Sequence, residues 1–149
     1  MLALGGVLAL GACAQTMQQT AANPPPVAAN PPPVPPGPNA TWYQVGFASN
    51  SRAIDAVGQK TVADVTTFLN ANPAAVATII GRTDDVGGRD YNMRLSHQRA
   101  DAVRDALVYG GKIGAARVET RWIGENSPRP AGAGGPPGTG GRIVDIAVR

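Results

Sequence analysis

Nine of the 14 prolines fall between residues 23 and 38, in the stretch NPPPVAANPPPVPPGP. Proline locks φ and carries no amide donor, so a run this dense enters neither a helix nor the interior of a sheet. It also contains a short internal repeat, NPPPVAANPPPV, and residues 14–40 show no hydrophobic periodicity. An extended polyproline II spacer is the expected state, and ~27 residues at about 3.1 Å each would reach up to ~80 Å. A ligand for a proline-binding module is the alternative use of such a run. Either way the core must come from residues 41–149, a length that suits one domain.

Ahead of the spacer, residues 1–12 read MLALGGVLALGA: apolar, uncharged and shorter than the ~20 residues a membrane-crossing helix needs. The length fits the apolar region of a secretory signal, although no basic segment precedes it. The chain holds one cysteine, Cys13, so no internal disulfide can form. It ends the stretch Leu10-Gly11-Ala12-Cys13, which resembles the lipobox of bacterial lipoproteins. That resemblance implies cleavage before Cys13, acylation of its thiol, and anchoring strengthened by ~0.8 kcal/mol per buried methylene. Ala14 and Gln15 do not resemble an inner-membrane retention signal, so the expected location is the outer membrane, with the domain facing the periplasm. The expected divisions are 1–12 signal peptide, 13–40 lipidated cysteine and linker, and 41–149 folded domain.

Charged residues make up 15% and hydrophobic ones 43%, which suits a globular core. Net charge is +3, but no run of Lys and Arg forms a patch and only 5% of residues are aromatic, so no nucleic-acid partner is expected. Within the domain, Trp42–Phe47 has strand composition. Residues 57–70 place Val62, Val65, Phe68 and Leu69 at helical spacing and stop before Asn72-Pro73. Ala75–Gly81 reads as a buried strand. Asp90–Tyr109 reads as a long amphipathic helix closed by Gly110-Gly111. Arg117–Ile123 and Arg142–Val148 alternate like half-buried strands. The predicted class is α+β in the order β-α-β-α-β-β, with a mixed four-stranded sheet and helices packed on one face.

The long helix carries the functional signal. At 100° per residue, His97, Asp101, Arg104, Arg94, Gln98 and Asp105 share a solvated face. Leu95, Val103, Ala106 and Leu107 share the inward face, and Asn92, Ser96 and Arg99 fall in line with them. An inward guanidinium needs an anion, because burying it unpaired is very costly. The strand before this helix ends in Arg82-Thr83-Asp84-Asp85-Val86-Gly87-Gly88, which puts Asp84 at the strand's carboxyl end, facing the first turns of the helix. Asp84 and Arg99 lining one pocket, with Asn92 beside them, would make a receptor for an amino-acid head group. The carboxylate takes an ammonium, and the guanidinium forks onto a carboxylate. A structural Asp84–Arg99 ion pair is the alternative.

Thr83-Asp84-Asp85-Val86-Gly87, Asn92, Leu95-Ser96-His97-Gln98-Arg99-Ala100 and Val103 together resemble the OmpA-like peptidoglycan-binding domain. The likeness covers about residues 43–148 and includes Phe47 with Asn50, Gly81-Arg82-Thr83-Asp84, and Gly124-Glu125 with Pro128. It implies non-covalent binding of meso-diaminopimelate in the wall's peptide stems, with Asp84 on the ammonium and Arg99 on the carboxylate. Thr83, Asn92, Leu95, Phe47 and Asn50 would shape the pocket. The implied role is to tether the outer membrane to the wall. An envelope protein-interaction module, self-associating or serving the Tol system, is the rival. The sequence departs from the family pattern at Ala48, where an acidic residue is common. It departs again at Gly141-Arg142-Ile143, which replaces Asn-Arg-Arg and speaks against a role for that loop, and in the Gly/Pro-rich stretch Ser127–Gly141, expected to be mobile. No catalytic residue, metal or cofactor is expected: Cys13 lies outside the domain, His97 stands on the solvated face, and no His/Cys/carboxylate cluster has metal spacing.

Overall fold

A computed structural model of the chain describes residues 40–125 and 141–149. The signal, Cys13, the proline-rich linker and most of Ser127–Gly141 lie outside the described residues. The first strand, β1 (Thr41–Gly46), leads through a turn into helix α1 (Ala56–Ala71). Asp55 caps α1, accepting the Gly58 amide at 2.8 Å, and thereby satisfies one of the four orphan donors at a helix start. The helix ends where Pro73 cannot continue it. Its buried side is Val62, Val65 and Leu69, the spacing read in the sequence.

Strand β2 (Ala77–Gly81) follows, then helix α2 (Arg89–Asp105), which runs on through a π turn over Ala106–Gly110. Strands β3 (Val118–Trp122) and β4 (Ile143–Val148) complete the order β-α-β-α-β-β. Arg117 ties the layers together before β3 begins. Its guanidinium donates to the carbonyls of Leu69, Asn72 and Ala75 at 2.8–2.9 Å, covering acceptors left open at the end of α1.

The sheet order is β1-β4-β2-β3. β2 and β3 run parallel, and β4 is antiparallel to both of its neighbours, β1 and β2. The sheet is therefore mixed, with β4 alone reversed. One face of it supplies Val45, Ala77, Ile79, Val118, Val144, Ile146 and Val148 to the core, against Val62, Val65 and Leu69 of α1 and Ala100 and Val103 of α2. Both helices thus pack on one face. β1 contacts α1, whereas β2 and β3 contact α2.

One strand differs from its sequence reading. Arg142–Val148 alternates as a half-buried strand would, yet every residue of β4 is buried. Its insertion between β1 and β2 leaves it no edge. On the face away from the helices its neighbours Ile80 and Arg82 are buried as well, so Asp145 there is removed from water. It bonds Arg82 Nε and Gln44 Nε2, both at 2.7 Å, which compensates its desolvation.

Gly81 sets the distance between sheet and helix. A Cβ there would overlap the Ser96 carbonyl oxygen of α2 and stand 3.0 Å from Ala100 Cβ. Only hydrogen allows β2 to lie this close to α2, and the two elements diverge into the site from that contact.

Candidate functional site

Beyond Gly81 the chain leaves β2 but stays tethered on both sides. The Arg82 amide donates to Ile143 O at 2.9 Å and the Thr83 amide to Gly124 O at 3.0 Å. This holds Asp84 just past the sheet, at the mouth of a cavity of about 460 Å³. Ser49, Asn50, Asp84, Tyr91, Leu95 and Arg142 line it, and Val86 and Gly87 extend the wall. The size suits a small ligand or one amino-acid side chain with its neighbours. Asn50 and Gly87 adopt positive φ, 52° and 108°, as the two turns facing each other across the opening require.

Of the residues singled out in the sequence, Asp84, Asn50 and Leu95 line the cavity, while Arg99, Asn92, Thr83 and Phe47 lie behind its wall. Arg99 is 0% exposed. Its guanidinium donates to three backbone carbonyls: Nε to Ser51 at 2.8 Å, Nη2 to Ala48 at 3.0 Å and Nη1 to Arg82 at 3.4 Å. It also lies 5.3 Å from the centre of the Phe47 ring, a cation–π contact from below. Arg99 therefore fastens the Ala48–Ser51 turn to the end of β2. Burial lowers its pKa, the Asp84 carboxylate opposes that shift, and the Arg142 charge reinforces it.

Asn92 is a second strut. Its Nδ2 donates to the Asp84 carbonyl at 3.3 Å and to Glu125 Oε2 at 2.7 Å, linking the loop after β2 to the segment after β3. Its Oδ1, like the Thr83 hydroxyl, is buried with no hydrogen-bond partner among the described residues.

The alternative reading of a direct Asp84–Arg99 ion pair is not what forms. Asp84 Oδ2 bonds Arg142 Nη1 at 2.9 Å. The loop before the last strand, discounted because Gly141-Arg142-Ile143 departs from the family pattern, thus reaches the site; β4's place beside β2 brings it there. Asp84 pairs with partly buried Arg142, and its charge is also felt by the fully buried Arg99. Tyr91 and Ser49 were also missed. Tyr91 precedes Leu95 by four residues, so helical spacing alone places both on one side of α2. Nothing local marks Ser49. His97, assigned to the solvated face, keeps 36% of its side chain exposed and pairs with Asp101 at 3.0 Å; it also stacks on Trp122 of the edge strand, with ring centroids 3.9 Å apart.

The profile of the OmpA family matches residues 46–136. A protein of Escherichia coli named "Probable lipoprotein YiaD" is 40% identical over 84 residues, 56% of this chain and 38% of that protein. The chain thus spans well under half the length of that relative. A peptidoglycan-associated lipoprotein of Mesorhizobium japonicum is 30% identical over 132 residues, 86% of this chain and 78% of that one. The crystal structure of the peptidoglycan-associated lipoprotein from Burkholderia pseudomallei is similar with a TM-score of 0.60 and 27% identity, covering 71% of this chain and 89% of that one.

Proposed function

We propose, from the premise that this chain belongs to the OmpA family, that it associates non-covalently with peptidoglycan and tethers the outer membrane to the cell wall. The observation that carries this reading is the Asp84 carboxylate standing at an open cavity with the charges of Arg142 and Arg99 beside it. A carboxylate next to guanidinium charge suits a ligand that bears an ammonium and a carboxylate on one carbon. In a wall peptide that group is the side-chain end of meso-diaminopimelate. Asp84 takes its ammonium. Arg99 supplies positive charge for its carboxylate and holds the turn that closes over it. Leu95 and Asn50 bound the methylene chain, and Thr83, Asn92 and Phe47 support the wall from behind. The names of the Mesorhizobium and Burkholderia relatives agree with such a partner. Binding of this kind breaks no bond, so the protein acts as a tether and not as an enzyme. Acylated Cys13 is the membrane end of the tether, and the proline-rich linker spans the gap to the wall.

The test is co-sedimentation of the protein with insoluble sacculi, comparing wild type with Asp84→Ala and Arg99→Ala after circular dichroism has shown that both fold. Truncating one partner of a desolvated charge pair costs roughly 2–5 kcal/mol, enough to abolish pelleting at micromolar protein. Wild type pelleting while the folded variants stay in solution is the expected result. Wild type remaining in the supernatant would remove wall binding as the function. Mass spectrometry of the membrane-extracted protein checks the anchor, which fails if residues 1–12 are retained and Cys13 carries no acyl mass.

A further inference from the structure

Strand β3 ends the sheet: among the described residues it pairs with β2 and with no other strand. Just past it, the Ile123 amide donates to Gly81 O at 3.1 Å, so Ile123 turns its backbone groups towards β2. Strand alternation then directs those of Arg121 and Glu119 to β2 as well, and those of Trp122, Thr120 and Val118 off the edge. The Val118 amide is taken by Ala115 O, which leaves the amides of Thr120 and Trp122 and the carbonyls of all three. Open backbone groups in a row are a template for another strand, and such edges are commonly guarded by charge. Here the guards have opposite signs. Val118 points into the core and Trp122 stacks on His97 of α2, so Glu119 and Arg121 share the face away from the helices. Glu119 is exposed and Arg121 half-buried, and neither enters an ion pair among the described residues.

We infer that β3 is a self-association site: two copies of this chain pair edge to edge, antiparallel, about a two-fold axis through Thr120. In this register each Thr120 amide donates to the partner's Thr120 carbonyl, and each Trp122 amide reaches the partner's Val118 carbonyl. Glu119 then stands opposite the partner's Arg121, and Arg121 opposite the partner's Glu119. Cross-strand pairs of opposite charge stabilise a ladder, and like charges directly opposite destabilise it. The same charges fix the register. A slip of one residue sets outward backbone groups against inward ones. A slip of two puts Glu119 against the partner's Glu119, or Arg121 against the partner's Arg121. An unrelated strand would need this charge order by chance, whereas a second copy supplies it by symmetry. The contact is isologous, so it closes at two copies and does not propagate. Pairing also joins two clefts in one particle, which raises avidity for any repeating polymer. The assignment is independent of what the cleft binds.

The experiment is sedimentation velocity on the full chain, from about 10 µM to 1 mM, the range in which a small interface associates. A reductant and an excess of non-ionic detergent keep Cys13 and the apolar first residues from joining chains. The proteins are wild type, Glu119→Arg, Arg121→Glu and the double swap E119R/R121E, with circular dichroism melts confirming each fold. Wild type should dimerise. Each single variant sets like charges opposite one another twice and should weaken dimerisation by about tenfold or more. The double swap restores opposite signs and should return to within about threefold of wild type. An equimolar mixture of the two single variants should pair as well, since one offers cations and the other carboxylates. Hydrogen exchange on wild type alone supplies a readout that needs no variant to fold. Raising the concentration should protect the Thr120 and Trp122 amides and leave those of Arg121 and Ile123, already bonded to β2, unchanged. A wild type that stays monomeric throughout overturns the proposal. So do single variants that dimerise like wild type, a swap and a mixture that both fail to restore pairing, or a dimer whose Thr120 and Trp122 amides exchange as in the monomer.

Discussion

The contact between Gly81 and α2 allows one substitution to be worked through from geometry. In Gly81→Ala the new methyl group would overlap Ser96 O and stand 3.0 Å from Ala100 Cβ, where carbon atoms prefer roughly 3.5–4.0 Å. β2 and α2 must then part by the order of 1 Å. The helix cannot yield easily, because the Ser96 hydroxyl donates to Met93 O at 2.8 Å and accepts the Gly124 amide at 3.1 Å. Overpacking a tight core costs typically ~1–3 kcal/mol, and a backbone neighbour puts this site at the upper end. Removing a glycine from the unfolded chain returns about 0.4–1 kcal/mol, and Gly81 has no positive φ to complicate the account. A net loss of ~2 kcal/mol corresponds to a fall in Tm of roughly 8–16 °C for a domain of this size. The assay is a thermal melt followed by circular dichroism, with sacculus pelleting on the folded protein at low temperature. Because Asp84 follows Gly81 by three residues and Arg99 follows Ser96 by three, pelleting should weaken even where the fold survives. An alanine variant that melts at or above wild type would refute the close-approach argument, since only the entropic gain would then be acting.

Asp145→Ala should be more damaging, costing about 3–5 kcal/mol in urea denaturation, because it strips the carboxylate from buried Arg82 and leaves Gln44 Nε2 without its acceptor. A loss under ~1 kcal/mol would mean that this pair is solvated and structurally idle. Thr83→Val should do the opposite. The buried hydroxyl has no hydrogen-bond partner among the described residues, and replacing it by a methyl group of like volume should raise stability by about 1 kcal/mol. A measured loss would reveal a bond that this structure lacks.

Much of the molecule is legible along the chain. Asp55 and Pro73 bracket α1, the 3.6-residue period sets its buried side, and the β-rich run ending at Gly81 marks β2. The same periodicity places Asn92, Ser96 and Arg99 on the inward face of α2, where all three are buried. These features follow from local rules. Side chains repeat every two or 3.6 residues, proline ends helices, and an inward polar residue requires a partner. The sequence alone therefore marked the element order and the inward, polar start of α2.

The partners were another matter. Periodicity states which side of an element faces inward and says nothing of what it will meet. The last strand could have lain at either edge or in the middle, and its alternation suggested an exposed face. Tertiary pairing put it between β1 and β2, buried Asp145 against Arg82 and Gln44, and carried Arg142 across 58 residues of sequence to Asp84. It also turned Arg99 from an open fork into a fastener for the Ala48–Ser51 turn, since the carbonyls it satisfies come from a loop 48 to 51 residues away. An ion pair needs its members within a few ångströms, and only the order of strands in the sheet determines which distant charges come that close.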